Sequence, residues 1–162
     1  AVGAAQTRKV PHIKTVNRSH KQLMMDRLKG IPGVGFAAIP DPAGDSATFL
    51  NLMLPDQAAA ARVVEEFGKQ GVSGFNYWFI NMYHFINQWG HLKDLKSAAP
   101  LPAHHYQRPQ DYNKLSLPKS QEVVGRLISF GIRCTWKESE VIELTNKIKT
   151  SIEKAMGVTA YA

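Results

Sequence analysis

Apolar residues recur along the chain in alternating rhythms, and each rhythm predicts an element. Near the N-terminus Val10, Ile13, Val16, Leu23, Met24 and Leu28 keep helical spacing, with Lys14, Arg18, Lys21 and Arg27 between them. This is an amphipathic helical arm. Pro11 has no amide hydrogen, so it either opens a second helix in its first turn or kinks a longer one. Gly30 and Pro32-Gly33 end the arm. Val34–Ile39 and Ala47–Leu54 are apolar runs on either side of the turn-forming Pro40-Asp41-Pro42-Ala43-Gly44-Asp45, which predicts an antiparallel hairpin with a wide loop. Asp56 is a cap for the next helix, whose buried stripe is predicted at Ala58, Ala61, Val64 and Phe67, with Gly71-Val72 closing it.

Residues 75–80 (FNYWFI) predict a third strand, and Tyr83, Ile86, Trp89 and Leu92 have the spacing of a short helix. Ser97–Gln110, with three prolines, reads as a loop. A helix follows over Lys119–Arg126 with Pro118 in its first turn, then a fourth strand over Leu127–Cys134. Thr135 and Glu138 form a capping-box pattern for a last helix carrying Val141, Ile142 (or Leu144, Thr145), Ile148, Ile152 and Ala155, stopped by Gly157. The order predicts an α+β fold, with helices packed on a small, largely antiparallel sheet and a long amphipathic connecting helix in front.

One stretch departs from simple periodicity. Residues 73–92 hold two of the three tryptophans, and with them Phe75, Tyr77, Phe79, Tyr83, Phe85, His84 and His91. So much aromatic surface builds a core, lines a pocket or meets a partner.

Composition narrows the class. A chain of 162 residues with 44% apolar and 20% charged residues can bury the core of one domain. No window approaches the ~18 apolar residues of a membrane span, which predicts no membrane partner. AVGAA is too short for a signal-peptide core. The single cysteine, Cys134, excludes an internal disulfide and suits a reducing compartment such as the cytoplasm. The first residue is alanine, and the expectation is that the chain starts inside a longer protein. The net charge of +7 permits attraction to phosphates or nucleic acid, but the basic residues are dispersed with no run of four, the pattern of a solvated surface.

The chemical candidates are few. Gly30, Gly33 and Gly35 match neither a phosphate loop nor a dinucleotide fingerprint. Cys134 ends an apolar strand, where a thiol is buried and inert more often than nucleophilic. His84 and His91 lie seven apart, two helical turns, too far for one metal shell, and neither a carboxylate cluster nor a second cysteine joins them or the His104-His105 pair. His84 alone is open between a pocket-lining side chain and a satisfied core histidine. Aromatics on a sheet can stack nucleic-acid bases, but Lys69 and Lys93, the nearest cations, fall outside the aromatic stretch. Core or pocket is the better reading, with a free-standing basic α+β nucleic-acid-binding module as the alternative.

The whole chain resembles the small domain of the DegT/DnrJ/EryC1/StrS sugar aminotransferases, pyridoxal-phosphate enzymes of the aspartate-aminotransferase fold. AVGAAQTRKVPHI resembles the helix that leads into that domain, matching at Gly3, Gln6 and Lys9. IPGVGF, PDPAGDSATFLNLMLPD, a helix and Gly71-Val72 follow in the family's order, and GRLISFGIRCTWKESEVIELTNKIKTSI looks like its last strand and helix. NMYHFINQWGHLKD resembles the branch that makes 8-amino-3,8-dideoxy-manno-octulosonate, at Tyr83-His84, Trp89 and His91-Leu92. Pro11 and Thr7 depart from a helix that is usually continuous and carries leucine or isoleucine there, which bears on the angle of the arm.

The resemblance implies residues 1–30 as a connecting helix and 31–162 as the C-terminal small domain, with the large cofactor-binding domain preceding Ala1 and missing here. It implies a homodimer that transfers an amino group from an amino-acid donor to a keto or aldehyde sugar, for lipopolysaccharide or another cell-surface polysaccharide. Pyridoxal 5'-phosphate would be bound by the missing domain. No lysine of this chain matches the cofactor lysine, so the chain alone is not expected to be active, and it holds no catalytic residue. His84, with Tyr83 and Trp89, would contact the sugar, and His91 would be a structural contact. A non-catalytic relative that keeps the fold for dimerisation stays open.

Overall fold

Among the described residues four short strands pair antiparallel in the order β1 (Gly35–Phe36), β2 (Phe49–Met53), β4 (Leu127–Gly131) and β3 (Phe75–Asn76), so the last of them in sequence lies in the interior of the sheet. The computed structural model describes residues 2–100 and 111–158, and the His104-His105 pair and most of the predicted Ser97–Gln110 loop lie outside them. Within the described residues the elements are α1 (Val2–Thr7), α2 (Val10–Leu28), β1 (Gly35–Phe36), β2 (Phe49–Met53), α3 (Gln57–Lys69), β3 (Phe75–Asn76), α4 (Gly90–Lys93), α5 (Pro118–Gly125), β4 (Leu127–Gly131) and α6 (Glu138–Met156). Single 3₁₀ turns occupy Trp78–Ile80, Ile86–Gln88 and Tyr112–Lys114. The α+β architecture expected from the sequence is present.

The core lies on one face of the sheet. Leu50 and Leu52 of β2 and Ile128 and Phe130 of β4 are fully buried there against Val63 and Phe67 of α3, Val141, Ile148 and Ile152 of α6, and Met24 and Leu28 of α2. Phe75 stands opposite Phe130, and the rings of Phe67, Phe75 and Phe130 lie 5.0–6.0 Å apart. The Asp56 carboxylate accepts from the Ala59 amide at 2.7 Å, the predicted cap. At the other end of α3, Gly71 adopts a positive φ of 65° and the Val72 amide reaches back to the Phe67 carbonyl at 2.9 Å, the Schellman closure that satisfies the last carbonyls. Pro11 sits in the first turn of α2, so it opens a second helix after a break at Arg8-Lys9.

Several expectations are corrected. The predicted strand Val34–Ile39 narrows to Gly35–Phe36, extended by an Ala37 amide bond to the Asn51 carbonyl. Beyond it the chain leaves the sheet because Arg18 of α2 takes its carbonyls: the guanidinium donates to Asp45 O at 2.9 and 3.1 Å, to Pro42 O at 3.3 Å and to Ala43 O. Lys21 adds an ion pair to Asp45 at 2.7 Å. The buried stripe of α3 is Ala59, Ala60, Val63 and Phe67, while Ala58 and Ala61 are exposed and Val64 is half-buried against the core. The strand Phe75–Ile80 stops after Asn76, for the Tyr77 hydroxyl donates to the buried Gly125 carbonyl at 2.6 Å and draws the chain off the sheet edge. Tyr83–Leu92 is two single turns separated by the non-helical Trp89.

The strand Leu127–Cys134 ends at Gly131, and the last helix starts three residues after Thr135, not at it. Thr135 lies in a turn closed by a Trp136 amide bond to Arg133 O, while Trp136 packs on the core. The reach-back half of a capping box is instead made by Glu140, which accepts from the Lys137 amide at 2.6 Å; a lysine side chain has no acceptor for the other half. Among the alternatives on α6, Thr145 is buried, its hydroxyl bonded to Val141 O at 2.6 Å.

Candidate functional site

The aromatic stretch divides at Trp78. Phe75 and Tyr77 belong to the core, and Phe79 packs on its edge. Trp78 turns to the opposite face of the sheet, where its edge meets Phe49 with ring centroids 6.3 Å apart at 68°. The chain then rises into a turn whose residues are largely solvent-facing: Ile80 is 56% exposed, Met82 64% and Tyr83 78%. Phe85 plugs the base of this turn, buried against Phe79 at a centroid distance of 5.4 Å.

Asn81 organises the tip. Its Oδ1 accepts from the amides of Tyr83 at 3.1 Å and His84 at 3.3 Å, and its Nδ2 lies 2.8 Å from His84 Nδ1. With the amide oxygen engaged by two backbone donors, the NH₂ group faces the imidazole, so Nδ1 accepts and the neutral ring carries its proton on Nε2. Met82 holds a positive φ of 62°, a conformation that a side chain with a Cβ adopts at a cost, and the Asn81 bonds are what maintain it. Trp89 closes the other side by donating its indole N–H to Tyr83 O at 3.2 Å, and its ring stacks on His91 at 5.7 Å and 23°.

Between these groups opens a hollow of about 440 Å³ lined by Asn81, Met82, Tyr83, Trp89 and His91. Of the three predicted site residues, Tyr83 and Trp89 therefore share this hollow. His84 does not line it; it is exposed and stands on Trp78, ring centroids 4.2 Å apart, so it is not a core histidine. His91 does line it. The sequence reading passed over Asn81, although an Asn two and three residues before backbone amides is a recognisable turn-forming signal. Met82 carried no signal.

Of the further hollows among the described residues, two adjoin α2 and α3 respectively. The first, of about 280 Å³, is lined by Lys21, Met25, Phe36–Pro40, Asp45 and Thr48–Asn51. Asp45 is held below the ordinary carboxylate range, first by the hydrogen bond from Lys21 and then by the Ala47 amide. The second, of about 540 Å³, lies among Pro55, Gln57, Pro118, Gln121 and Arg126. A pyridoxal-phosphate site needs a lysine free to condense with the cofactor. The lysine in these hollows is Lys21, and its ammonium is committed to Asp45 at 2.7 Å. These two hollows thus offer no lysine free to hold that cofactor.

Among the described residues no group of three or more His, Cys, Asp or Glu is placed to hold a metal ion, and no helix is long and apolar enough to cross a membrane. The sheet residues that alternate away from the core are Phe49, Asn51 and Met53 on β2 and Leu127, Ser129 and Gly131 on β4, with no lysine or arginine among them.

No family model matches the sequence. Among solved structures the fold is similar to that of the aminotransferase TlmJ from Streptoalloteichus hindustanus, with a TM-score of 0.64 and 16% sequence identity. The match covers 94% of this chain and 35% of that one, so the chain spans about a third of that enzyme's length. Over nearly all of its length the chain shares the fold of part of that aminotransferase.

Proposed function

We propose that this chain is the C-terminal small domain of a pyridoxal-phosphate-dependent sugar aminotransferase, with residues 1–30 connecting it to a cofactor-binding domain upstream. The observation that carries the reading is the fold shared with an aminotransferase over 94% of the chain, at a third of that enzyme's length. The order of motifs resembling the DegT/DnrJ/EryC1/StrS family supports it from the sequence side. The chemistry, amino transfer from an amino-acid donor to a keto or aldehyde sugar, would then lie in the upstream domain of a cytoplasmic homodimer. Pyridoxal phosphate supplies the electron sink for that transfer.

This chain's part is to bind and orient the sugar. Tyr83 and Trp89 offer ring faces to the apolar face of a sugar, and both stand at the rim of one hollow. His84 Nε2–H is left to donate to a hydroxyl or carboxylate, since Nδ1 is engaged by Asn81 at 2.8 Å. The net charge of +7 favours an anionic substrate, which agrees with an eight-carbon sugar acid of lipopolysaccharide or another cell-surface polysaccharide. The reading is tested by the coding sequence upstream of Ala1. It should hold, within about 250 residues, a typical domain length, an aspartate–hydrophobic–glycine strand and a lysine for the cofactor. An upstream region without both would overturn it.

A further inference from the structure

Asn51 and Ser129 stand directly opposite each other in the β2–β4 register, in the middle of the sheet face that points away from the helices. Ser129 is only 2% exposed. Trp78 Nε1 lies 2.7 Å from Ser129 Oγ, and Ser129 Oγ lies 2.7 Å from Asn51 Oδ1. An indole N–H can only donate, so the hydroxyl must accept there and send its single proton to Asn51. The polarity of the chain is therefore set from end to end, and each member fixes the rotamer of the next. A buried hydroxyl with both of its partners in place is rigid, and losing either leaves Ser129 Oγ short of a partner.

The indole anchored in this way carries the His84 imidazole at 4.2 Å. His84 is tied in turn through Asn81 to the Tyr83 amide. We infer that Asn51, Ser129 and Trp78 are positioning residues, a hydrogen-bonded chain from the centre of the sheet that sets where His84 and Tyr83 stand. Neither Asn51 nor Ser129 touches the hollow beside Tyr83, so the two act on it through Trp78. The value of this placement for a sugar rests on the function proposed above; the placement itself does not.

The test uses ¹H–¹⁵N spectra of the 162-residue chain without ligand, comparing wild type with Ser129→Ala, Asn51→Leu and Asn51→Asp. Ser129→Ala removes one oxygen and Asn51→Leu removes the terminal acceptor, while Asn51→Asp keeps an acceptor in place. The first two should move the Trp78 indole N–H and the Tyr83 and His84 amides, and Ser129→Ala, which removes the indole's acceptor, should also speed exchange of the indole proton by about tenfold, the loss of one hydrogen bond. Asn51→Asp should restore the wild-type pattern, which a purely structural role has no reason to do. Unmoved Tyr83 and His84 amides in a folded Ser129→Ala variant would overturn the inference. A parallel titration with 3-deoxy-manno-octulosonate separates the two readings. Wild type should bind, with Ser129→Ala about tenfold weaker and Asn51→Asp close to wild type. A wild type that shows no shift with this sugar contradicts the sugar reading, and the ligand-free spectra still decide the positioning chain.

Discussion

Replacing Tyr77 by Phe removes a single oxygen and leaves the packing volume unchanged, which isolates the bond that draws the chain off the sheet. The Tyr77 side chain is buried and its hydroxyl donates to Gly125 O at 2.6 Å, at the C-terminal end of α5. In Tyr77→Phe the buried carbonyl loses that donor, which costs about 1–3 kcal/mol. For a domain of this size that corresponds to a drop in Tm of about 2–12 °C. The pH dependence gives a second, independent readout. Burial raises the Tyr77 phenol above its ordinary value of 10.0. A group whose folded pKa is raised stabilises fully below its unfolded pKa, and that contribution is lost as pH rises through the folded value. Wild type should therefore lose stability above about pH 10 more steeply than the Phe variant. Thermal unfolding followed by circular dichroism at pH 7 and through the alkaline range reads both effects. A variant that melts within about 1 °C of wild type at pH 7, with an unchanged alkaline slope, would refute the bond's role.

The acid side answers to Asp45. Its carboxyl is lowered chiefly by Lys21, so its stabilisation is present above the unfolded value of 3.8 and lost as pH falls through the folded one. Asp45→Asn should cost about 1–3 kcal/mol at pH 7, the price of leaving Lys21 without its partner, and should flatten the acid arm of stability in urea titrations below about pH 4. At the end of α3, Gly71→Ala forces a Cβ into a φ of 65° and should destabilise by about 1 kcal/mol, measured by the same titration at pH 7.

The elements legible in the sequence are those whose signals are local. The Asp56 cap, the Gly71 and Gly157 stops, Pro118 and the α6 stripe all act within one or two turns, and each sits where its chemistry placed it. The strand lengths were not legible, because the segment after β1 is held off the sheet by Arg18, which captures the Pro42, Ala43 and Asp45 carbonyls 24–27 residues away in sequence. Helix α2 shows the same limit. Its buried face runs Asn17, His20, Lys21, Met24, Leu28, so three of its five residues are polar and apolar spacing found only Met24 and Leu28. At the site, composition pointed to the aromatic stretch, but nothing in it marked Trp78 as the residue that crosses to the other face of the sheet. That crossing depends on Ser129 and Asn51, 51 and 27 residues distant in sequence.

The central claim is that this chain supplies a sugar-binding wall to an aminotransferase whose chemistry lies upstream. It is tested most directly by steady-state amino transfer from L-glutamate to an eight-carbon keto sugar acid by the intact upstream-plus-downstream polypeptide, comparing wild type with Tyr83→Ala. The account predicts turnover by wild type and a KM for the sugar raised about tenfold in the variant, equivalent to ~1.4 kcal/mol, with the cofactor's visible absorbance unchanged. An intact protein that takes up no pyridoxal phosphate, or a variant with an unchanged KM, would contradict it.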